Sequence, residues 1–377
     1  MAPSTRLLSY VSRAGKGGRV LAPELDRLLS AGPLSSLRRL RATGGEPGLV
    51  HGTHDETYIE IWSAAAAAVG ATVERLAEGF LRIRRGEAET IAYRQLVMID
   101  HPATTALALN KLACHKLLSE AGLCVPRHVV LERDSWSSLR DFMEATPEGF
   151  ESPYVVKPAV GTSGGEGVVC NVVDADDLFR AWNAARRWDH RVLIERQVPG
   201  EEYRLLFLDG EFLGAVHRRR AWVEGDGSSS IMDLIDAENQ RRRRSGTAEV
   251  ARLVRFDLDC DLALKTQGLN RRSIPQAGRR VVLKGTVSQN SVRDNSAVSG
   301  LSPALIAEAA QAAAVMRLRL AGVDVLTTDP GESLRNTGGV IIEVNGTPGF
   351  HYHYQVDNPS QRDEVAVPIL ERLLTTP

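Results

Sequence analysis

The chain has 377 residues, of which 43% are hydrophobic and 25% charged, and its formal net charge is −1. These values predict a globular protein of about two or three domains and argue against a protein that coats nucleic acid or an anionic membrane. No apolar run is long enough to span a bilayer, and the 4 cysteines are scattered. We therefore expect no membrane partner, no signal peptide and a cytoplasmic location.

The first predicted structural unit follows a stretch with no readable role. Residues 1–50 are rich in Arg, Gly, Ser and Leu. The segment IEIWSAAAAAVG then predicts a helix that ends at Gly70, and TVERL, FLRIRRG and AETIAYR predict short strands separated by Gly79 and Gly86. We expect a small N-terminal α/β domain over residues 1–105.

The rest of the chain predicts two α+β lobes. The segment TTALALNKLACHKLLSEAG predicts one helix, after which the strands RHVVL, SPYVVKP, VVCNV and RVLIERQ alternate with shorter helices. The strands YRLLFLDG and EFLGAVHRR meet at Asp209 and Gly210, which indicates an antiparallel hairpin. A polar, helix-rich insertion at 230–278 and the Ala-rich helix SPALIAEAAQAAAVMRLRLAG follow. We place the small lobe at residues 106–200 and the large lobe at residues 201–377.

A glycine-rich loop after a strand lysine predicts a phosphate site. The segment YVVKPAVGTSGGEGV contains Lys157 and the glycines at 161, 164, 165 and 167. Backbone N–H groups of such a loop can approach phosphate oxygens closely, and the lysine adds a point charge. The lysine precedes the glycines, so this is neither a Walker motif nor a dinucleotide fingerprint. A glycine-rich hairpin with a surface lysine is the alternative interpretation.

The next strand, in VLIERQVPGEEYR, predicts an adenine site. Its end offers backbone groups near Glu195, Arg196 and Val198 for a purine ring, and Glu201 or Glu202 can accept hydrogen bonds from ribose hydroxyls. The alternative for Glu195 is a solvated residue at a strand end.

Two further strands predict a magnesium site. Glu343 and Asn345, in GGVIIEVNGTPG, lie two residues apart and therefore on one face of a strand. Asp324, in LAGVDVL, has a similar apolar setting. Three hard oxygen ligands on adjacent strands suit Mg²⁺ held between protein and nucleotide phosphates.

Taken in this order, the segments resemble the ATP-grasp superfamily, and most of all the ATP-grasp part of cyanophycin synthetases and bifunctional glutathione synthases. The resemblance runs from Tyr58 to Tyr354. Its carriers are IEIWSAAAAAVG, ALNKLACHKLLSEAGLCVP, VVKPAVGTSGGEGV, VLIERQVPGEEYRLLFLDG, AVHRRRAWVEGDGSSSIMDLIDAEN, IPQAGRRVVLK, AGVDV and IIEVNGTPGFHYH.

This resemblance implies an ATP-grasp fold whose two lobes clasp ATP. It implies an ATP-dependent ligase that joins a carboxylate to an amine through an acyl phosphate, with two Mg²⁺ ions that Mn²⁺ can replace. The implied metal ligands are Asp324, Glu343 and Asn345. The implied ATP-binding residues are Lys111, Lys157, Gly161, Thr162, Ser163, Gly164, Glu195, Arg196, Val198 and Glu202. The implied substrate-binding residues are Arg218, Gly349, His351 and His353.

The chain departs from the family pattern after the strand RRVVLKG. Relatives carry an arginine where Lys284 stands, and the segment GTVSQNSVRDNSAVSG lacks their paired glycines. Lys284 keeps the positive charge without the bidentate fork of arginine. We expect Lys284 or Arg293 to be catalytic, the alternative for Arg293 being an exposed loop arginine. His351 stands where relatives often have arginine.

Three hypotheses follow for function. The first is a ligase that acts on a carboxylate and an amine, each an amino acid or small peptide, in a protein that forms a homodimer, as relatives often do. The second is an ATP-grasp ligase that closes rings on a ribosomal peptide or adds a residue to it, with a leader docked on residues 1–50. The third is a catalytically silent nucleotide-binding scaffold.

Overall fold

The computed structural model describes residues 47–131, 136–144, 148–160, 164–245 and 253–375. The N-terminal part begins with a helix and continues as an antiparallel meander of four strands. Its elements are α1 (Pro47–Ala68), β1 (Thr72–Ala77), β2 (Phe80–Arg85), β3 (Ala88–Tyr93) and β4 (Leu96–Val97). The predicted helix end at Gly70 and the predicted strands are confirmed, and Gly70 adopts a φ of 68°.

The buried face of α1 attaches this sheet to the rest of the protein. Tyr58 and Trp62 are 2% and 0% exposed, and they belong to one core with Leu81 of β2 and Ile369 of the last helix. The Trp62 indole N–H donates to the backbone oxygen of Arg94 at 2.9 Å, which satisfies its polar atom.

The helix expected over TTALALNKLACHKLLSEAG is two helices, α2 (Pro102–Ala108) and α3 (Lys111–Glu120). Asn110 separates them, because its side chain accepts from the N–H of Ala113 at 3.1 Å and so begins a new helix. As a consequence Lys111 is the first residue of α3.

A four-stranded antiparallel sheet with the order β5-β8-β6-β7 follows. Its elements are β5 (His128–Leu131), α4 (Trp136–Glu144), β6 (Tyr154–Pro158), β7 (Val169–Val172), α5 (Ala175–Ala185) and β8 (Val192–Arg196). Apolar side chains of α5, including Leu178 and Trp182, pack with Val156 of β6 and Ile194 of β8.

The larger sheet has five antiparallel strands in the order β13-β10-β9-β14-β15. The elements of this region are β9 (Glu201–Leu208), β10 (Glu211–Arg218), β11 (Trp222–Glu224), α6 (Ile231–Ser245), α7 (Leu258–Lys265), β12 (Arg280–Val282), β13 (Asn295–Val298), α8 (Pro303–Val315), β14 (Leu320–Thr327), α9 (Leu334–Thr337), β15 (Val340–Asn345) and α10 (Ala366–Thr375). The predicted hairpin of β9 and β10 is confirmed.

The Ala-rich helix α8 ends earlier than the sequence pattern suggests. It ends at Val315 rather than near Gly322, and Arg317 adopts a φ of 55°. The Asp100 carboxylate accepts from the N–H groups of Arg319 and Leu320 at 2.7 and 3.0 Å, which holds the chain extended at the start of β14. The division into domains at residues 105 and 200 remains a proposal.

Candidate active site

The four-stranded sheet β5-β8-β6-β7 and the five-stranded sheet line a cavity of about 520 Å³. It brings together most of the site residues predicted from the sequence. They come from both sheets, from α3 and from the loops after β6, β8 and β15. Those that line it are Lys111, Lys157, Gly164, Glu195, Arg196, Val198, Glu202, Arg218, Asp324, Glu343, Asn345, Gly349 and His351. Gly161, Thr162 and Ser163 lie outside the described residues.

A buried ion pair lies on the wall formed by the four-stranded sheet. Lys157 on β6 and Glu195 on β8 are 6% and 3% exposed, and Nζ lies 2.7 Å from Oε1. Lys111, at the start of α3, is half-buried in the same region. Burial lowers the pKa of Lys111 and Lys157 adds to this effect, while the negative charge of Glu343 opposes it. The wall therefore concentrates positive charge beside two carboxylates.

The predicted metal ligands lie together on the opposite wall. Asp324 on β14 pairs in register with Glu343 on β15, and Asn345 follows two residues later. Arg204 on β9 makes two hydrogen bonds to the Asp324 carboxylate, with Nε–Oδ1 at 2.6 Å and Nη2–Oδ2 at 2.5 Å. The Asn345 amide donates to Asp324 Oδ2 at 3.3 Å. Burial acts to raise the pKa of Asp324, but the Arg204 charge and hydrogen bonds hold it below its usual range.

Glu202 and Arg218 form a third ion pair, beside that of Arg204 and Asp324. Nη1 of Arg218 lies 2.5 Å from Oε1 of Glu202. Burial raises the pKa of Glu202 to about 7, and the Arg218 charge opposes that shift. The Tyr352 ring lies against two guanidinium groups, with its centroid 4.7 Å from that of Arg218 and 5.4 Å from that of Arg204. The contact of Glu202 with ribose remains a proposal.

Three of the predicted site residues, Lys284, Arg293 and His353, do not line the cavity. Lys284 is 2% exposed and its Nζ lies 2.5 Å from Asp257 and 3.7 Å from Asp259, so two acids hold it in the interior. Arg293 is also outside the lining. Its guanidinium donates to the Trp222 backbone oxygen at 2.8 Å and lies over the Trp222 ring.

The third of these residues, His353, is 1% exposed and lies next to the site rather than in it. It is the last residue of the 3₁₀ turn Phe350–His353, which also carries His351. His351 does line the cavity, and its Nδ1 lies 2.7 Å from the Tyr58 hydroxyl of α1. The N-terminal helix therefore helps to orient this part of the site.

Sequence reasoning missed several residues of the cavity. The most important is Arg204, which lies two residues after Glu202 on β9 and thus on the same face. That alternation was a usable signal. Tyr352 and Gln95 also line the cavity, and Gln95 comes from the turn between β3 and β4. No pattern in the sequence marked Gln95, because its place depends on how the N-terminal sheet packs.

Two buried histidines make the stability of the fold sensitive to acid. Burial lowers the pKa of His115 and of His353 to about 3, and the neighbouring Lys157 and Arg204 charges add to the respective shifts. The unfolded chain binds these protons near pH 6.5, so the unfolded state holds more protons between about pH 6.5 and pH 3. Stability present above pH 6.5 is therefore lost as the pH falls.

We expect the free energy of unfolding to fall by several kcal/mol between pH 7 and pH 4.5. His115→Gln and His353→Gln should each reduce this slope by close to one proton. Urea unfolding at a series of pH values measures it. If the free energy of unfolding had the same pH dependence in the wild type and in both variants, His115 and His353 would not be buried in their neutral form.

The donor atoms fit Mg²⁺ that is shared with a nucleotide. Within the described ranges, no group of three or more His, Cys, Asp and Glu side chains could hold a metal alone. The site instead offers two carboxylates and one amide, Asp324, Glu343 and Asn345. Mg²⁺ in nucleotide enzymes usually takes one or two carboxylates and completes its shell with phosphate oxygens and water. Arg204 already engages Asp324, which leaves Glu343 as the carboxylate without an ion-pair partner among the described residues.

Two antiparallel sheets enclose the cavity, with lysines on one wall and Asp, Glu and Asn side chains on the other. This architecture is that of the ATP-grasp fold. The family model described as the D-ala D-ala ligase C-terminus matches residues 117–228. The chain is 31% identical over 251 residues to a cyanophycin synthetase of Trichormus variabilis, which covers 66% of this chain and 27% of that protein.

Two bifunctional proteins are also similar. A glutathione biosynthesis bifunctional protein of Listeria welshimeri is 27% identical over 314 residues, which covers 81% of this chain and 39% of that protein. The crystal structure of a bifunctional glutathione synthetase from Pasteurella multocida superposes with a TM-score of 0.50 at 22% identity, covering 83% of this chain and 43% of that one. This chain thus spans between 27% and 43% of the length of these relatives. The chain therefore has the ATP-grasp fold and is similar to these ligases over part of their length.

Among the described residues, no helix has the length and apolar character needed to cross a membrane.

Proposed function

We propose that this protein is an ATP-dependent carboxylate–amine ligase that forms an amide bond between amino acids or small peptides. A substrate carboxylate oxygen attacks the γ-phosphorus of ATP, and the bond from that phosphorus to ADP breaks. The amine then attacks the acyl carbon of the resulting acyl phosphate, loses a proton, and releases phosphate. The observation that carries the proposal is that one cavity is lined both by Lys111 and Lys157 and by the group Asp324, Glu343 and Asn345. The charge of Glu343 also acts on the pKa of Lys111.

The chemistry of this cavity supports distinct roles for its walls. Lys111 and Lys157 offset the negative charge that builds on the transferred phosphoryl group, and Gly164 belongs to a loop that lies over the phosphates, with Gly161, Thr162 and Ser163 proposed to complete it. The strand end at Glu195, Arg196 and Val198 lines the adenine, and Glu202 accepts from ribose hydroxyls once Arg218 shifts to the substrate.

We propose that two Mg²⁺ ions, replaceable by Mn²⁺, are held by Asp324, Glu343 and Asn345 when ATP is present. The ions would supply charge neutralisation on the phosphate oxygens. The chain's own groups do the remaining work. Arg204 fixes the orientation of Asp324, and Asn345 turns its amide N–H toward the same carboxylate, so its oxygen faces the other way.

The substrate side of the cavity is proposed to lie near the 3₁₀ turn after β15. Arg218, beneath the Tyr352 ring, is suited to a substrate carboxylate. Gly349 lets the His351 ring pack against the backbone, because a Cβ there would lie 2.9 Å from His351 Cε1. His351 is oriented by Tyr58 and lies at the same side. We assign Lys284, Arg293 and His353 to positioning rather than to contact with substrate, because none of them lines the cavity.

The surroundings of the reaction are also proposals. We propose a cytoplasmic protein that uses small-molecule substrates, without nucleic-acid or membrane partners, and that forms a homodimer. The ribosomal-peptide hypothesis depends on a leader docked on residues 1–50, and residues 1–46 lie outside the described part of the chain. Deleting residues 1–48 distinguishes this hypothesis from the small-molecule ligase. The deletion should abolish activity on a ribosomal peptide, whereas small-molecule turnover should remain largely intact.

The test is ADP release with Mg²⁺ over a panel of amino acid and dipeptide pairs, followed by mass spectrometry of the product. We expect ADP with a defined subset of pairs, and a product whose mass equals the sum of the two substrates minus water. Glu343→Gln should lower the rate about tenfold or more, because it removes a charge from the proposed metal site. Equal ADP signals in the wild type and this variant, or ATP binding with no ADP for any pair, would reject the ligase in favour of the silent scaffold.

A further inference from the structure

A buried carboxylate lies behind the wall of the cavity without lining it. Asp259, on α7, is 2% exposed. Its Oδ1 accepts from the N–H of Cys170 on β7 at 3.0 Å. Its Oδ2 accepts from the N–H of Gly285 at 3.1 Å and from the Thr286 hydroxyl at 3.2 Å. Cys170, Gly285 and Thr286 all line the cavity. One side chain therefore fixes two separate pieces of cavity wall.

The second piece of wall, residues 285–288, also supports the glycine-rich loop. The hydroxyls of Thr286 and Ser288 lie 2.6 Å apart. A Cβ at Gly165 would lie 2.6 Å from Ser288 Cβ, so the glycine loop rests directly on this segment. The backbone oxygen of Val287 accepts from Arg218 at 3.3 Å. A displacement of residues 285–288 would thus reach both the phosphate side and the Arg218 side.

The contact between the two pieces is close. A Cβ at Gly285 would lie 2.8 Å from Asp259 Oδ1 and 2.9 Å from the side-chain nitrogen of Asn171. Only a glycine lets the backbone approach the carboxylate at this point. An ionised carboxylate accepts hydrogen bonds only, which suits a position faced by three backbone N–H groups and one hydroxyl.

We propose that Asp259 is a positioning residue that sets the affinity of the cavity for ATP by holding residues 285–288 and the start of β7 in register. The inference rests on the proposed function, since it concerns the same nucleotide site. Lys284 assists, because its ammonium lies 3.7 Å from Asp259 and offsets its charge in the interior.

The test is Asp259→Asn, which preserves the shape of the side chain but turns an NH₂ group toward a backbone donor. We expect the Kd for ATP with Mg²⁺, measured by calorimetry, to rise about 10- to 100-fold. In an ADP-release assay, KM for ATP should rise by a similar factor while kcat at saturating ATP changes by less than about threefold. A general loss of folded protein would lower kcat and leave KM in place.

Asp261→Asn is the matched control. It makes the same charge change on the same helix, at a surface carboxylate that binds Arg180 at 2.8 Å. We expect its Kd for ATP to equal that of the wild type.

Thr286→Val covers the case in which the aspartate variant does not fold. It removes only the hydroxyl bonds to Asp259 and Ser288, and should raise the Kd about 3- to 10-fold. Hydrogen exchange should rise at residues 169–171 and 285–288 and stay unchanged in β9 and β14. Wild-type Kd values in both variants would overturn the positioning role and leave the ligase proposal intact. ATP binding without ADP release would reject the ligase, and the Kd comparison would still decide the role of Asp259.

Discussion

Replacing Lys157 with methionine is expected to lower the free energy of unfolding by about 3–5 kcal/mol. The variant leaves Glu195, which is 3% exposed, as a buried charge without its ammonium partner at 2.7 Å. The same change removes a proposed phosphate contact, so the Kd for ATP should rise about 10- to 100-fold. Urea unfolding and calorimetry with ATP measure the two effects.

Lys116 provides the control for this prediction. It lies on α3 with a side chain 75% exposed and reaches Glu120 only at 3.9 Å. Lys116→Met should change neither stability nor ATP affinity, since exposed pairs of this kind contribute little. The pair Lys157→Met and Glu195→Gln, made together, should recover most of the lost stability while ATP binding stays weak. A Lys157 variant with wild-type ATP affinity would remove this lysine from the phosphate site.

The sequence predicts the relative positions of Glu343 and Asn345 because a strand has a period of two. Glu343 and Asn345 must share a face, and the structure places Asp324 directly opposite Glu343. The fold could also be predicted from the sequence, because glycines, hairpin signals and apolar strands mark its elements. The break at Asn110 shows a local signal that was present but overlooked, because an asparagine before a helical run favours a new helix start.

Ion pairs between distant elements could not be predicted in the same way. Lys157 and Glu195 were both assigned to the nucleotide, but their mutual contact depends on β6 lying next to β8 in the sheet order. Lys284 was expected at the reaction because relatives carry arginine there. Its actual partners, Asp257 and Asp259, come from the polar insertion, and linear spacing carries no information about which strand that insertion packs against.

Replacing Arg204 with methionine is the second change with a large expected effect. Arg204 and Asp324 are 7% and 2% exposed, and the substitution leaves Asp324 buried without its bidentate partner. We expect the free energy of unfolding to fall by about 3–5 kcal/mol. Asn345 donates to the same carboxylate and Arg218 lies 3.8 Å away, so the lower end of this range applies. Urea unfolding measures the loss.

The matched control is Arg319→Met, which breaks an Arg–Asp pair of similar length, 2.7 Å to Asp209, at the surface. Its cost should stay below about 1 kcal/mol, because solvent screens the exposed pair. A cost equal to that of Arg204→Met would mean that burial does not govern the Arg204 pair.

The double variant Arg204→Met with Asp324→Leu separates stability from chemistry. Buried ion pairs replaced by apolar groups of similar volume are often neutral or stabilising, so the double variant should recover most of the loss. It should nevertheless release ADP at no more than about one hundredth of the wild-type rate, because a proposed metal ligand is gone. A stable double variant with near wild-type ADP release would take Asp324 out of the metal site. The expected outcome instead implies that the Arg204–Asp324 pair serves the proposed metal site rather than stability, because an apolar pair would hold the sheet equally well.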